Sequence, residues 1–589
     1  MSKPLRFYKE EKSKFEQQRD QLRKKSNFYS IIRLILFLVV SPAAYLSYDD
    51  TRLFIVILAT GFIGFMILVI KHQSLRGLRI LSEHLIKINS IEIDALKGNY
   101  NSLPTGHEFE DPHHFFSNDV DLFGQGSFFQ YINRTATSSG RRTLAKLLTN
   151  NDIENIVEKQ EVIKELSDMP HWRQRYLALA KMVKTETDHR IIISWIHNYK
   201  SFLPGLMKYL PLIFSLISFI LLSLVAMGQI SFFMLAGWFF AGLLITLPYF
   251  KRINHLYLEA GQIKHTFRQY HTLLNEIEKV KLKAALALRQ QDKIQTSSKK
   301  ASLIFKEFSK ILDAFDQRNN MLFGILGNGL FLWDLRQTYK IDAWMTAYQS
   351  QVENWFDVIS YFDAQISLSN YAYNHPDHHF PEIKSKDYGI SAVMLGHPLL
   401  NKEQRINNNF TIAEKDFQII TGANMAGKST FLRTVSLSLI MSNSGLPVCA
   451  EKMAYSPIKL ITSMRTTDSL AEESSYFYAE IVRLRFIVDQ MKDDKYFIIL
   501  DEILKGTNSK DKAIGSRKFV EKLVKSGSTG IIATHDLSLC DIEKEYPQIH
   551  NKYFDAQIKN EELVFDYKLK EGICTNMNAS FLLKKMEII

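Results

Sequence analysis

With 589 residues the chain is longer than one hydrophobic core sustains, so two or more domains are expected. Its 46% hydrophobic and 23% charged residues exclude a disordered or fibrous protein. A net charge of +11 points to anionic partners such as nucleotide phosphates, a nucleic-acid backbone or anionic lipid, and three cysteines without CxxC spacing (Cys449, Cys540, Cys574) read as reduced cytosolic thiols.

Residues 1–30 are mostly polar or charged and read as a cytoplasmic segment, too hydrophilic for a cleavable signal peptide. Leu34 to Tyr48 and Leu53 to Ile70 then form two apolar runs joined by the polar turn Asp49, Asp50, Thr51 and Arg52. Pro42 within the first run and Arg33 at its edge weaken it, and Arg33 can snorkel to an interface. Residues 31–70 are therefore expected to be a first transmembrane hairpin. Residues 71–208 are mixed, with a Gly- and aromatic-rich stretch from Phe123 to Phe129, and Ile153 to Leu166 has the three- and four-residue spacing of an amphipathic helix.

Tyr209 through Phe250 contains no Asp, Glu, Lys, Arg or His. One crossing of the hydrocarbon layer needs about 20 residues, so 209–250 accommodates two helices turning near Gly228 and Gln229, a second hairpin. Buried core helices are the bland alternative, but those usually keep a polar stripe. Lys24, Lys25, Lys71, Arg76, Arg79, Lys208, Lys251 and Arg252 flank the apolar runs. The positive-inside rule then puts both termini and every long segment in the cytoplasm of an integral protein of the cell or inner membrane.

Residues 251–380 have few Gly or Pro and read as long helices. Asn374, His375, Pro376 and Asp377 break the pattern and mark a boundary near 375–385. From 381 to 589, short β-like runs (Phe417 to Ile420, Tyr496 to Leu500, Gly530 to Ala533) alternate with helical segments, as in an α/β domain with a largely parallel sheet.

Gly422, Ala423, Asn424, Met425, Ala426, Gly427, Lys428 and Ser429 fit G-x-x-x-x-G-K-[ST] between the run ending at Ile420 and the helix-like Phe431 to Met441. Strand, loop and helix are the context a P-loop needs. Glycine lets backbone N–H groups curl around phosphate oxygens at a helix N-terminus that favours negative charge. Lys428 is expected to reach the β- and γ-phosphates of ATP, and the Ser429 hydroxyl to ligate Mg2+. The strand Tyr496 to Leu500 ends in Asp501 and Glu502, a carboxylate pair that would be costly to bury without a cation. Asp501 is assigned to Mg2+ through its water shell and Glu502 to orienting or deprotonating the attacking water. A further strand ends at Thr534 and His535, whose imidazole could sense or stabilise the γ-phosphate.

The strings TGANMAGKST (421–430), LDEILKGTNSKDK (500–512) and ATHDLSL (533–539) resemble the MutS group of mismatch-repair ATPases, within the ABC-type fold. Thr430 closes the nucleotide-binding string. DSLAEESSYFYAEI (468–481) resembles the family's signature stretch, with Glu473 and Ser474 where the family has glycine and arginine. The resemblance implies a head-to-tail homodimer closing two ATP sites, with Ser475 at the position that contacts the partner's γ-phosphate. FFQYINRTATSSGRRTLAKLL (128–148) is similar to the start of the MutS helical core and lever, and Gly396, His397, Pro398 and Leu399 to the start of its ATPase domain. The implied fold class is multidomain: transmembrane helical hairpins (31–70 and 209–250), an all-α core and lever region (71–208 and 251–380) and a C-terminal α/β P-loop (ABC-type) ATPase domain (381–589).

Residues 1–120 leave no room for a mismatch-reading domain, and little chain follows the ATPase core for a dimer element. Phe305, Lys306 and Glu307 match the family's Phe-x-Glu wedge only by chance. His107, His113 and His114, and His375, His378 and His379, read as solvated loop histidines, since no cysteine or fixed carboxylate spacing accompanies them. Phe115, Phe116, Phe128 and Phe129 read as core. The leading expectation is a membrane-anchored MutS-like ATPase with ATP and Mg2+ as cofactors, coupled to dimer closure and to binding of DNA, mismatched or branched. The alternatives are an ATP-driven transporter or membrane-remodelling protein without DNA binding, and a nucleotide-gated scaffold.

Overall fold

The computed structural model describes residues 2–182, 187–295, 299–385, 387–465, 476–559 and 562–574. Two long helices open the chain, Lys3–Leu46 and Thr51–Ala95. The first runs unbroken through Pro42 and closes where the Ser47 hydroxyl donates to the Ala43 carbonyl at 2.8 Å. Asp50 caps the second, accepting from the Arg52 and Leu53 amides at 3.0 and 3.2 Å. The polar turn read from sequence is thus a C-cap followed by an N-cap.

The apolar ends of these helices lie against each other in antiparallel fashion. Val40 packs on Gly61, where a side chain would meet its methyl carbon at 2.6 Å, and the Arg33 guanidinium sits 5.9 Å over the Phe65 ring. Their outer faces have no protein partner among the described residues, with Phe37 and Phe62 each 61% exposed. The polar ends dock on the helical core. Tyr8 donates to Asn374 at 2.8 Å, Asn89 pairs with Gln174, and Arg134 donates to Glu92 at 2.6 Å with both side chains buried.

Leu210–Ala226 and Phe232–Thr246 form a second apolar pair. Trp238 stacks on Phe214 with centroids 4.2 Å apart, and its indole N–H donates to Ser218. A third apolar helix, Met321–Phe331, packs onto this pair. Gly242 lies against the backbone of Asn328 and Gly329, and Gly329 in turn lies under the Phe239 ring, so helix backbones approach where a side chain would not fit. Its 11 residues are too few to cross a bilayer, and its outer end is open, with Met321 78% exposed.

The helical core is aromatic: Phe267, Phe305, Phe308, Trp344 and Phe356 meet edge-on or stacked. Phe305 is 0% exposed in this cluster and so is no DNA wedge. The amphipathic helix expected over 153–166 spans Ile156–Ser167. Helix Trp333–Asn374, 42 residues long, runs through the core and is almost wholly buried from Trp355 to Ala372. It stops where Pro376 cannot continue it, as the boundary near 375–385 anticipated.

Beyond lie, among the described residues, ten strands, β1 (Glu382–Ile383), β2 (Ile390–Leu395), β3 (Asn408–Ile412), β4 (Phe417–Gly422), β5 (Lys452–Tyr455), β6 (Lys459–Ser463), β7 (Tyr496–Asp501), β8 (Thr529–Ala533), β9 (Ile549–Lys559) and β10 (Glu562–Glu571). They form a sheet ordered β1-β5-β2-β3 and another ordered β10-β9-β4-β8-β7-β6. In the second, β9 through β6 are all parallel and β10 is an antiparallel edge. Helix Lys428–Asn443 shares one core with both sheets through Leu432, Val435 and Leu439. The carboxyl ends of β4, β8 and β7 therefore sit side by side.

Candidate nucleotide site

Adjacent parallel strands bring the sequence motifs together. β4 ends at Gly422, the loop 423–427 follows, and the helix begins at Lys428, while β7 delivers Asp501 and β8 leads into His535. Gly422 needs to be glycine because a Cβ there would stand 2.7 Å from the Phe554 carbonyl oxygen of β9. Gly427 has φ 102°, a left-handed conformation that costs glycine little. The Ala426 side chain is buried beneath the loop, Asn424 and Met425 are exposed above it, and Thr430 lies exposed in the first helical turn.

The buried Lys428 ammonium donates to the carbonyls of Gly422 and Ala423 at 2.8 and 3.1 Å and lies 3.2 Å from His535 Nε2. The Ser429 hydroxyl donates to Asp501 at 2.6 Å. His535 Nε2 also lies 2.9 Å from Glu502 Oε1. One ring nitrogen cannot donate to a carboxylate and accept from an ammonium together. The shorter contact and the two carbonyls already serving Lys428 assign the Nε2 proton to Glu502.

That hydrogen bond from His535, acting against partial burial and aided by the His535, Lys505 and Lys512 charges, holds the Glu502 carboxyl down to about 2. Glu502 also adopts φ 49°, an uncommon conformation for a non-glycine residue, with its amide donating to the Ala533 carbonyl at 2.9 Å. Burial lowers the Lys428 pKa, and the nearby Asp501 and Glu502 partly restore it. The cavity in front of the loop measures about 560 Å³, within the range of small-ligand pockets.

Lys428, Ser429, Asp501, Glu502 and His535 thus converge, and the loop from Gly422 to Gly427 frames them. The donors fit a magnesium nucleotide: hard oxygens on Ser429 and Asp501, an ammonium, and a helix N-terminus with glycine where backbone must approach. Ser475 lies outside the described residues. Tyr567, His397 and Lys505 also line the cavity, although none belongs to the P-loop motif. Tyr567 sits at a bulge of β10 with φ 52°, its ring edge 3.1 Å from where a Gly427 side chain would begin. Burial, with Arg433 and Arg405 nearby, pushes His397 down to about 4, so it lines the cavity uncharged.

The other constellations divide. Phe116, Phe128 and Phe129 are core, as expected. His107 is exposed and lies 2.6 Å from Glu110. His375 and His378 correct the reading of solvated loop histidines: burial pushes His375 down to about 4 and, with His375 beside it, His378 down to about 3.

The MutS domain V family model matches residues 418–585. Over 234 residues the chain is 33% identical to human MutS protein homolog 4, covering 38% of this chain and 24% of that protein. It is 34% identical over 169 residues to the DNA mismatch repair protein MutS of Thermotoga sp. (strain RQ2), covering 28% of this chain and 21% of that protein. The corresponding protein of Lysinibacillus sphaericus is 32% identical over 178 residues. Residues 418–585 thus carry the likeness to the MutS family. The chain spans between 21% and 24% of the length of these curated relatives. The domain V match contains every residue from Lys428 to His535 that converges on the cavity. The two apolar helix pairs and the His375 turn lie outside it.

Proposed function

We propose that this chain is a membrane-anchored MutS-type ATPase in which ATP binding closes a homodimer and moves the helical core, with DNA as the partner of the closed form. The observation that carries the ATPase reading is the convergence of Lys428, Ser429, Asp501, Glu502 and His535 at three adjacent strand ends. In this reading Lys428 leaves the Gly422 and Ala423 carbonyls for the β- and γ-phosphates, while the loop amides face the phosphate oxygens. Ser429 and, through water, Asp501 would hold Mg2+, which would supply charge neutralisation on those phosphates.

Glu502 faces the attacking water. A carboxylate held at about 2 is a weak base, so while His535 is bound to it Glu502 orients the water and does not take its proton. A γ-phosphate oxygen is a competing acceptor for the His535 N–H. Transfer of that hydrogen bond to phosphate would raise the basicity of Glu502 when substrate is in place. His535 then serves both as γ-phosphate sensor and as brake on the base.

The membrane reading is supported by the apolar faces of two helix pairs, unpartnered among the described residues and flanked by basic residues, the DNA reading by relatives named as DNA mismatch repair proteins, and the dimer reading by the resemblance of 468–481 to the family's signature stretch. Transport is less favoured, because Leu53 to Ile70 and Tyr209 to Phe250 contain no charged side chain to carry a polar cargo. Measuring ATP binding and turnover on the full-length protein in detergent tests the site. Lys428→Ala is expected to lose ATP affinity. Glu502→Gln is expected to bind ATP, slow hydrolysis by about 10²-fold or more and accumulate as dimer. Native turnover in both variants would remove the assignment. DNA affinity should fall linearly with salt on logarithmic axes. No binding to duplex or branched DNA at low salt, with turnover indifferent to DNA, would leave the ATPase without that partner.

A further inference from the structure

The turn that ends helix Trp333–Asn374 carries a second constellation of ligand-type side chains. Pro376 stops the helix, and the His378 amide donates to the His375 carbonyl at 3.0 Å, closing a turn that brings side chains three residues apart together. The two imidazoles stack, with centroids 4.6 Å apart and planes inclined by 16°. Each ring engages one nitrogen with a tyrosine: His375 Nε2 with the Tyr131 hydroxyl at 2.8 Å, and His378 Nδ1 with the Tyr371 hydroxyl at 3.0 Å. Nδ1 of His375 and Nε2 of His378 have no hydrogen-bond partner among the described residues. One ligand atom each from His375, His378 and Asp377 lies within 4.8 Å of the others.

We propose that His375, Asp377 and His378 form a binding site for a divalent transition-metal ion of the zinc class. Two imidazoles and one carboxylate, with room for water, are the donor set of a three-ligand zinc site. They are too nitrogen-rich for Mg2+ or Ca2+, which take oxygen donors. The tyrosines supply the outer support such sites require, since a histidine N–H donated to a hydroxyl fixes the tautomer that offers the other nitrogen to metal. Lys402 and Arg405 are nearby cations. Lys402 donates to Asp377 at 2.8 Å, but this pair is exposed and can open in favour of a metal. His379 falls outside this group, and its backbone pairs with that of Val448.

The position gives the ion a consequence. Tyr131 lies on helix Phe128–Ile132, Tyr371 on the last turns of Trp333–Asn374, and the turn leads directly into β1. A bound metal would clamp the joint between the helical core and the α/β domain, and binding to the folded form alone would raise thermal stability by mass action.

The test uses full-length, metal-stripped protein in detergent carrying Asp501→Asn, so that the nucleotide site cannot supply the signal, titrated with Co2+ alone and then with Zn2+. One Co2+ per chain with the intense visible absorption of a four- or five-coordinate ion, displaced by Zn2+, is expected. His375→Gln with His378→Gln should abolish it, Asp377→Asn should weaken it at least tenfold, and Tyr131→Phe should weaken it by about tenfold. Absence of the cobalt spectrum, or a spectrum unchanged in Asp377→Asn, overturns the proposal. Because Asp377 is exposed, that variant decides the matter even if the double histidine variant fails to fold.

Discussion

His535 Nε2 stands 2.9 Å from Glu502 and 3.2 Å from Lys428, so one imidazole links the carboxylate proposed to face the attacking water to the lysine of the glycine loop. The folded-state pKa of Glu502, about 2, lies below the ordinary glutamate value of about 4.3. Its stabilising contribution is therefore fully present above the ordinary value and is lost as pH falls through the folded value. Removing the hydrogen bond in His535→Ala leaves burial to act with little opposition, and the carboxyl should titrate at or above its ordinary value. The acidic limb of kcat/KM, which reports the nucleotide-free enzyme, should then rise to about pH 4–5, as profiles of the two proteins would reveal. His535→Gln, which can still donate an N–H, should restore part of the shift. A limb unmoved in His535→Ala would mean that His535 does not govern Glu502.

At the scale of elements, helix Ser138–Thr149 shows what a local reading can and cannot see. Thr137 caps it by accepting from the Gly140 amide at 2.9 Å, a feature legible from Thr-Ser-Ser-Gly at a helix start. The reason for Gly140 is non-local. Asp363, fully buried on the long helix, accepts from the Ala136 and Thr137 amides at 3.0 and 2.8 Å and from the Thr137 hydroxyl at 2.7 Å. A Gly140 side chain would meet the Asp363 Cβ and Cγ at 2.6 Å. Alanine usually stabilises a helix interior by about 0.5–1 kcal/mol over glycine, but overpacking here costs about 1–3 kcal/mol and displaces an acceptor serving three donors. Gly140→Ala is thus expected to be net destabilising by about 1–3 kcal/mol, read as a lowered Tm by circular dichroism. A raised Tm would show that Asp363 can move without loss.

The same division explains which parts of the site were legible. Strand, glycine loop and helix are contiguous, and an apolar strand ending in Asp501 and Glu502 announces itself, so Lys428, Ser429, Asp501 and Glu502 could be read in order. Tyr567 could not, because its place over Gly427 depends on β10 pairing with β9 and on a bulge between Phe565 and Leu569. His375 and His378 misled for a related reason. A polar, proline-containing turn looks solvated, yet Tyr131 reaches it from far upstream in the chain.

For the whole molecule, the open question is what covers the apolar faces of the two helix pairs and of Met321–Phe331. The pairs were visible as long uncharged runs, whereas the third helix is only 11 residues long and gains its meaning from packing on Phe239 and Gly242. Charge substitution on those faces separates a bilayer from water. Phe62 lies near the middle of the apolar run Leu53 to Ile70 and Phe219 near the middle of helix Leu210–Ala226, and they are 61% and 59% exposed, so in an aqueous setting lysine at either position would leave folding nearly unchanged. At the centre of a bilayer each lysine costs about 2.5–3.5 kcal/mol. Native protein is expected to stay with membranes through high salt and alkaline carbonate. Phe62→Lys combined with Phe219→Lys should shift a large fraction out of the membrane pellet while ATP binding at Lys428 persists, because among the described residues the α/β domain shares no core residue with either pair. Release of the native protein by salt alone would instead make these faces contacts for another protein, and the double substitution would then not alter the distribution between pellet and supernatant.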